Sequence, residues 1–201
     1  CVKLAAAQMT DLITIKVNGE ALDKTYSVRG YADYILDDAN GFGDTAKALV
    51  KAMLNYGAAS QTYFDYNIGN LANAGIEVTA AAVPTEGGKF DISGSVAGLD
   101  FYGASLVHKD KIAVRFYFTG SVEGVDFGAY TVNEKNGKYY IEIGDINPQD
   151  MDKDITVTVN NSLTISYSPL DYIIRIYAKG GNSAALVQAL YSYYLAAANY
   201  T

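Results

Sequence analysis

Tryptophan is missing from this chain, cysteine and histidine occur once each, and proline only three times in 201 residues. A lone cysteine, Cys1, allows no disulfide within the chain, so the thiol content says nothing of the redox compartment. A lone histidine, His108, removes any zinc site built on Cys and His and leaves a serine nucleophile a single candidate base. The Gly-x-Ser-x-Gly elbow that would accompany such a nucleophile is missing too. Positive charge is scarce: 15 Lys and Arg against 22 Asp and Glu give a net charge of -7. That balance argues against nucleic acid or an anionic membrane surface as partner, since both are held by clustered Lys and Arg. Long apolar runs are lacking as well. The longest candidate, residues 184–198, is broken by Gln188 and Ser192 and stays under the roughly 18 residues of a spanning helix, so no membrane insertion is expected.

What remains is a chain that is half apolar and 18% charged, enough to bury a sizeable core, with an excess of tyrosine: 18 Tyr beside 7 Phe. Its order is also repeated. Ile13-Thr14-Ile15-Lys16-Val17-Asn18 leads to Tyr26-Ser27 and Tyr31, then to Leu49-Val50-Lys51-Ala52-Met53 with Tyr56, Ala59 and Tyr63. Ile155-Thr156-Val157-Thr158-Val159-Asn160 leads to Tyr167-Ser168 and Tyr172, then to Leu186-Val187-Gln188-Ala189-Leu190 with Tyr193, Ala196 and Tyr200. Alternation and the Asn18-Gly19 turn signal predict a strand pair before Tyr26. Ser27 and Ser168 stand at N-cap positions, Pro169 suits a first helical turn, and Asp44 or Thr45 is expected to cap the long helix bearing Tyr56. Each copy thus reads as a strand pair followed by two helices, an αα-hairpin.

Between the copies the period changes. Residues 65–88 read as a connection with a possible short strand at 76–78. From Lys89 onward, strands are expected at 90–92, 99–107, 111–119, 125–132, 138–143, 154–159 and 163–167, each bounded by Gly, Asn or Asp. In 112–118 the even-numbered residues are bulky and apolar, which commits one face to a core. The expected fold is α+β: an antiparallel β-sandwich-like body with two similar αα-hairpins. The expected division is 1–66 as the C-terminal part of an upstream copy, 67–88 as connection, and 89–201 as a β-rich module closed by its own hairpin. Aligned on the second copy, the chain starts inside a strand-rich segment. Cys1 accordingly reads as a fragment boundary, with an acylated lipoprotein start as the competing reading.

Chemistry is sparse. His108 falls in an expected turn with no orienting partner nearby, since Asp110 lies only two residues on. Acidic residues mostly occupy turns, and Glu142 alone sits clearly within an expected strand, on its solvent side, so paired glycosidase carboxylates are not apparent. The cluster Asp150, Asp152 and Asp154 is a candidate for calcium, although it lacks the glycine and the closing Glu of an EF-hand loop. Aromatic stacking on a glycan is the stronger alternative: Tyr102, Tyr117, Tyr139 and Tyr140 lie on expected strands, and adjacent Tyr139 and Tyr140 must face opposite sides.

The series Tyr26-Ser27-Val28-Arg29, Leu49 to Tyr56, Phe101-Tyr102-Gly103-Ala104-Ser105-Leu106, Ala113 to Phe118, Tyr139 to Ile143 and Tyr167-Ser168-Pro169-Leu170 resembles a module repeated in large secreted or cell-surface proteins of gut Gram-positive anaerobes. That resemblance implies an extracellular or cell-surface place, neighbouring domains of the same polypeptide, and an adhesive or ligand-binding role without cofactor. The expected function is a non-catalytic module for binding, adhesion or spacing, with a protein or glycan on host or plant material as partner. The alternative is a carbohydrate-binding or glycan-active part of a degradative enzyme.

Overall fold

Alternation, Asn/Gly turns and serine caps lay out the elements in chain order. A computed structural model describes residues 3–108 and 112–200. It contains β1 (Ile13–Val17), β2 (Glu20–Tyr26), α1 (Val28–Leu36), α2 (Asp44–Phe64), β3 (Asp91–Ser93), β4 (Leu99–His108) and β5 (Ile112–Gly120). There follow β6 (Asn133–Lys135), β7 (Lys138–Ile146), β8 (Ile155–Val159), β9 (Leu163–Tyr167), α3 (Pro169–Lys179) and α4 (Ala184–Tyr200). The protein is α+β, with antiparallel sheets of two, three and four strands ordered β1-β2, β3-β9-β8 and β4-β5-β7-β6.

The chain divides into two compact units. The first takes in the residues up to Ala82 together with those from Gly180 onward; the second is Val83–Lys179. The boundaries expected at 66/67 and 88/89 therefore give way to one after Ala82, and α4 groups with the first hairpin instead of closing the β-rich module. The reason is visible in the helix itself: α4 is apolar most of the way round, and α2 supplies a second apolar helix for it to pack against.

In the first unit, α2 is central. Val50, Leu54 and Ala58 pack with Met9, Ala32 and Ala72 in one buried cluster. Gly57 lets the N-terminal segment approach: a Cβ there would lie 2.6 Å from Met9 Sδ and 3.2 Å from the Ala6 carbonyl oxygen. Fully buried Gln61 clasps the chain from both sides, donating to the Asn70 carbonyl (2.9 Å) and accepting from the Ala72 N–H (2.7 Å). Such a pairing is what makes a buried amide tolerable. Helix α4 crosses α2 antiparallel. Ala52 shares one groove with Ala196, Ala59 shares the other with Ala189, and Tyr56 and Tyr193 stack between them with centroids 5.9 Å apart. Small residues thus flank the paired rings, and the contacts fall at corresponding positions of the two repeated segments. Burial raises the pKa of both phenols, with the Ser60 hydroxyl partly opposing the shift at Tyr56. Residues 76–78, expected as a strand, carry no ladder. The segment instead runs along the helices, the Ala81 N–H donating to Ser192 Oγ and Gln188 Nε2 to the Ala81 carbonyl.

Ser27 caps α1, accepting from the Gly30 N–H at 2.9 Å. The cap of α2 differs from expectation: Gly43 occupies it without a side-chain bond, and Asp44 already lies in the first turn, where its charge suits the helix N-terminus.

In the second unit the three- and four-stranded sheets share an aromatic core. Phe90 stacks on Tyr167 (4.0 Å) and meets Phe101 edge-on (5.0 Å), which in turn contacts Phe116 and Phe118. Alternation in β5 runs as expected, Val114, Phe116 and Phe118 being wholly buried. The strand expected at 125–132 does not form. Gly124 and Gly128 take positive φ (71° and 63°), the Val125 N–H turns back to the Val122 carbonyl, and the resulting loop drops Phe127 onto Phe118 at 5.2 Å. Ser168 caps α3 in a reciprocal box: the Asp171 N–H donates to Ser168 Oγ, and the Asp171 carboxylate accepts from the Ser168 N–H and hydroxyl.

Candidate functional site

The outward face of the four-stranded sheet is set by the alternation that buries Phe116 and Phe118. Arg115 and Tyr117 point the other way, and the ladder places Ser105 and Glu142 beside Arg115, with Tyr140 beside Tyr117. Gly103 pairs with Tyr117 from the opposite strand, and the ideal Cβ position on that glycine has open space around it.

The irregular feature is a β-bulge between Phe101 and Gly103. Gly103 takes φ +147°, a conformation that side-chain-bearing residues rarely adopt, and the extra residue, Tyr102, is thrust outward to 64% exposure. Lys138 Nζ lies 4.4 Å from the Tyr102 ring centroid, and the Arg115 guanidinium lies 4.6 Å from that of Tyr140. Tyr117 and Tyr140 tilt against each other at 5.6 Å, and Ser105 Oγ meets the Tyr117 hydroxyl at 3.3 Å. Arg115 Nε donates to Glu142 at 2.7 Å. Burial works against the Arg115 charge, but its hydrogen bonds to Glu142 and Tyr117 prevail and raise its pKa. The arrangement offers three aromatic rings, a charge pair that largely neutralises itself, and hydroxyls at the edge. Chemically it is suited to stacking and hydrogen bonding, and Glu142 is committed to Arg115 instead of facing a second acid.

Of the four tyrosines singled out in the sequence, Tyr102, Tyr117 and Tyr140 come together here. Tyr139 does not: it pairs with Phe118 and takes the inward side, as its adjacency to Tyr140 requires. Sequence reasoning missed Arg115, Lys138 and the bulge, although a Tyr-Gly step inside an alternating strand is a signal for one. It also placed Glu142 alone among strand acids, whereas Glu20, Asp23, Asp91, Asp100, Glu134 and Asp145 lie within strands as well.

The other candidates resolve differently. His108 ends β4 opposite Ile112 instead of standing in a turn; its side chain, Cys1, Lys109 and Asp110 lie outside the described residues. Asp150 is held by Lys153 (2.6 Å) and Asn147 (3.0 Å), hydrogen bonds that lower its pKa. Its oxygens are engaged within a short 3-10 turn, and among the described residues Asp150, Asp152 and Asp154 form no group able to hold a metal ion. No helix among the described residues is long and apolar enough to cross a membrane. Comparison of the chain with protein-family models, with curated proteins and with solved structures finds no match.

Proposed function

We propose that the chain is a non-catalytic binding module of an extracellular bacterial surface protein, and that the outward face bearing Tyr102, Tyr117 and Tyr140 takes a glycan. The observation that carries the reading is the bulge at Tyr102. A strand that extrudes a tyrosine beside a glycine at φ +147° leaves that residue out of the ladder and exposes a large ring, a combination expected where the ring has a ligand to meet. Planar rings stack on the apolar faces of sugars, while Ser105, Arg115 and Glu142 supply hydrogen bonds to hydroxyls. The resemblance to modules of secreted and cell-surface proteins supports the extracellular setting and an adhesive role within a longer polypeptide. The corresponding contacts of α2 and α4 support descent of the two helical segments from one duplicated unit.

A glycan array probed with the purified chain tests the proposal. Binding is expected to a polysaccharide or host glycan, and Tyr102→Ala should weaken it about thirtyfold, the effect of truncating an aromatic hot spot. Binding indifferent to Tyr102→Ala and Tyr140→Ala would remove the face from consideration. Release of reducing sugar by the chain would overturn the non-catalytic reading.

A further inference from the structure

The two strand pairs of matching sequence meet different surroundings. At the base of each, the registers coincide: Ile13 pairs with Tyr26 and Thr14 with Thr25, as Ile155 pairs with Tyr167 and Thr156 with Ser166. Val157, Val159 and Tyr167 are wholly buried, while their counterparts Ile15, Val17 and Tyr26 are 42%, 52% and 48% exposed. Alternation puts Ile15, Val17, Leu22 and Tyr26 on one face together with Glu20 and Lys24, and Thr14, Lys16, Asp23 and Thr25 on the other. The β1–β2 ribbon is therefore patterned to bury one side, and that side is open.

What covers the second pair identifies what fits the first. There the Gly88 N–H donates to Asp171 at the start of α3, Phe90 stacks on Tyr167 beneath the Arg175 guanidinium, and Asp91–Ser93 add to β9 as an antiparallel edge strand. In the first pair the corresponding seat is an open recess where β2 runs into α1, lined by Leu12, Tyr26, Ser27, Gly30, Tyr31 and Tyr34. The outer edge of β2 pairs with no strand among the described residues. Three positions of the seat depart from the likeness: Gly30 stands where Asp171 receives the Gly88 N–H, Tyr34 stands where Arg175 covers Phe90, and the third is Lys24. Lys24 stands where the buried Ile165 faces Ile92 across the ladder, so the residue opposite Lys24 needs a negative charge where β3 carries isoleucine.

We propose that this ribbon binds an extended peptide segment in which an aromatic residue leads a short strand and an acidic residue follows two positions later. The ring occupies the recess against Tyr26, the strand pairs antiparallel with residues 23–25, and the acid meets Lys24. Main-chain pairing supplies affinity and the two side chains supply selectivity, as in other cases of strand addition. The site lies in the first unit, apart from the sheet face bearing Tyr102, and stands or falls independently of glycan binding.

The experiment titrates the full chain with a synthetic peptide of residues 87–93 carrying I92E, followed by amide NMR and calorimetry. Shifts are expected at residues 23–27 and 30–34. F90A in the peptide, or Tyr26→Ala in the chain, should each weaken binding about tenfold. Lys24→Glu in the chain should reverse the preference, so that an I92K peptide binds about threefold better than the I92E one. Tyr26 and Lys24 are exposed, so melting serves as the control that both variants fold. The proposal is overturned by no binding at millimolar peptide, by binding that survives F90A and Tyr26→Ala, or by peptide-free chain that dimerises through this face in sedimentation.

Discussion

The ribbon β1–β2 and the ribbon β8–β9 begin from nearly the same residues, share their register at the base and lead into serine-capped helices. One lies open; the other is roofed by Phe90 and β3. Their common part is what short-range chemistry specifies: alternation, an Asn-containing turn with positive φ, and a hydroxyl cap. Their difference is what only long-range packing supplies. A strand pair is a local statement, whereas the stability of its apolar face depends on what lies against it.

Tyr167 and Tyr26 give the widest test of that contrast. Tyr167→Ala should cost about 4 kcal/mol in chemical denaturation, because a fully buried ring that stacks on Phe90 and accepts from Arg175 leaves a cavity. Tyr26→Ala should fall within about 0.5 kcal/mol, as for other exposed positions. Equal costs would break the comparison. Tyr56→Ala and Tyr193→Ala sharpen it from the other side, being corresponding residues brought into one stack. Each should cost about 3 kcal/mol, and the double variant should cost less than the sum, since the second loses a partner already gone.

Smaller differences belong to the caps. Ser168→Ala should cost about 2 kcal/mol, because the part-buried box of Ser168 and Asp171 loses both the carboxylate's hydroxyl partner and a helix N–H bond, against about 1 kcal/mol for Ser27→Ala. Alkali adds the last contrast. Burial, partly offset by the Arg175 charge, pushes the Tyr167 phenol up to about 12, so the folded state holds its proton where the unfolded chain releases it. The stability associated with this group is complete below about pH 10 and declines as pH rises toward 12. Phenolate absorbance recorded during alkaline unfolding should show a late, cooperative component that the Tyr167→Phe variant lacks.

Much of this was legible beforehand. The α+β class, the β8–β9 pair, both serine caps and the committed face of β5 follow from period and residue type alone. The strand expected at 125–132 failed because Gly124 and Gly128 adopt positive φ, which alternation does not register. The place of α4 was hidden for a different reason: an all-round apolar helix announces that it will be buried without saying by what. At the candidate site, the tyrosines were visible as strand residues. Their convergence depended on the bulge at Tyr102 and on cross-strand register, and both are properties of pairs rather than of positions. Tyr139 illustrates the point, since its neighbour Tyr140 decided its side.

The grouping of α4 with residues before Ala82 has a consequence in time. Residues 83–179 form a continuous stretch, so they can reach their structure as soon as they leave the ribosome or a translocation pore. The first unit, although its chain emerges earlier, stays incomplete until the last helix arrives. Until then the α2 face that receives Tyr193 is uncovered, and of the two units the one begun first is the last to finish. A nascent chain stalled before Gly180 would therefore carry a finished second unit and an unfinished first, with one face of α2 left without its partner helix.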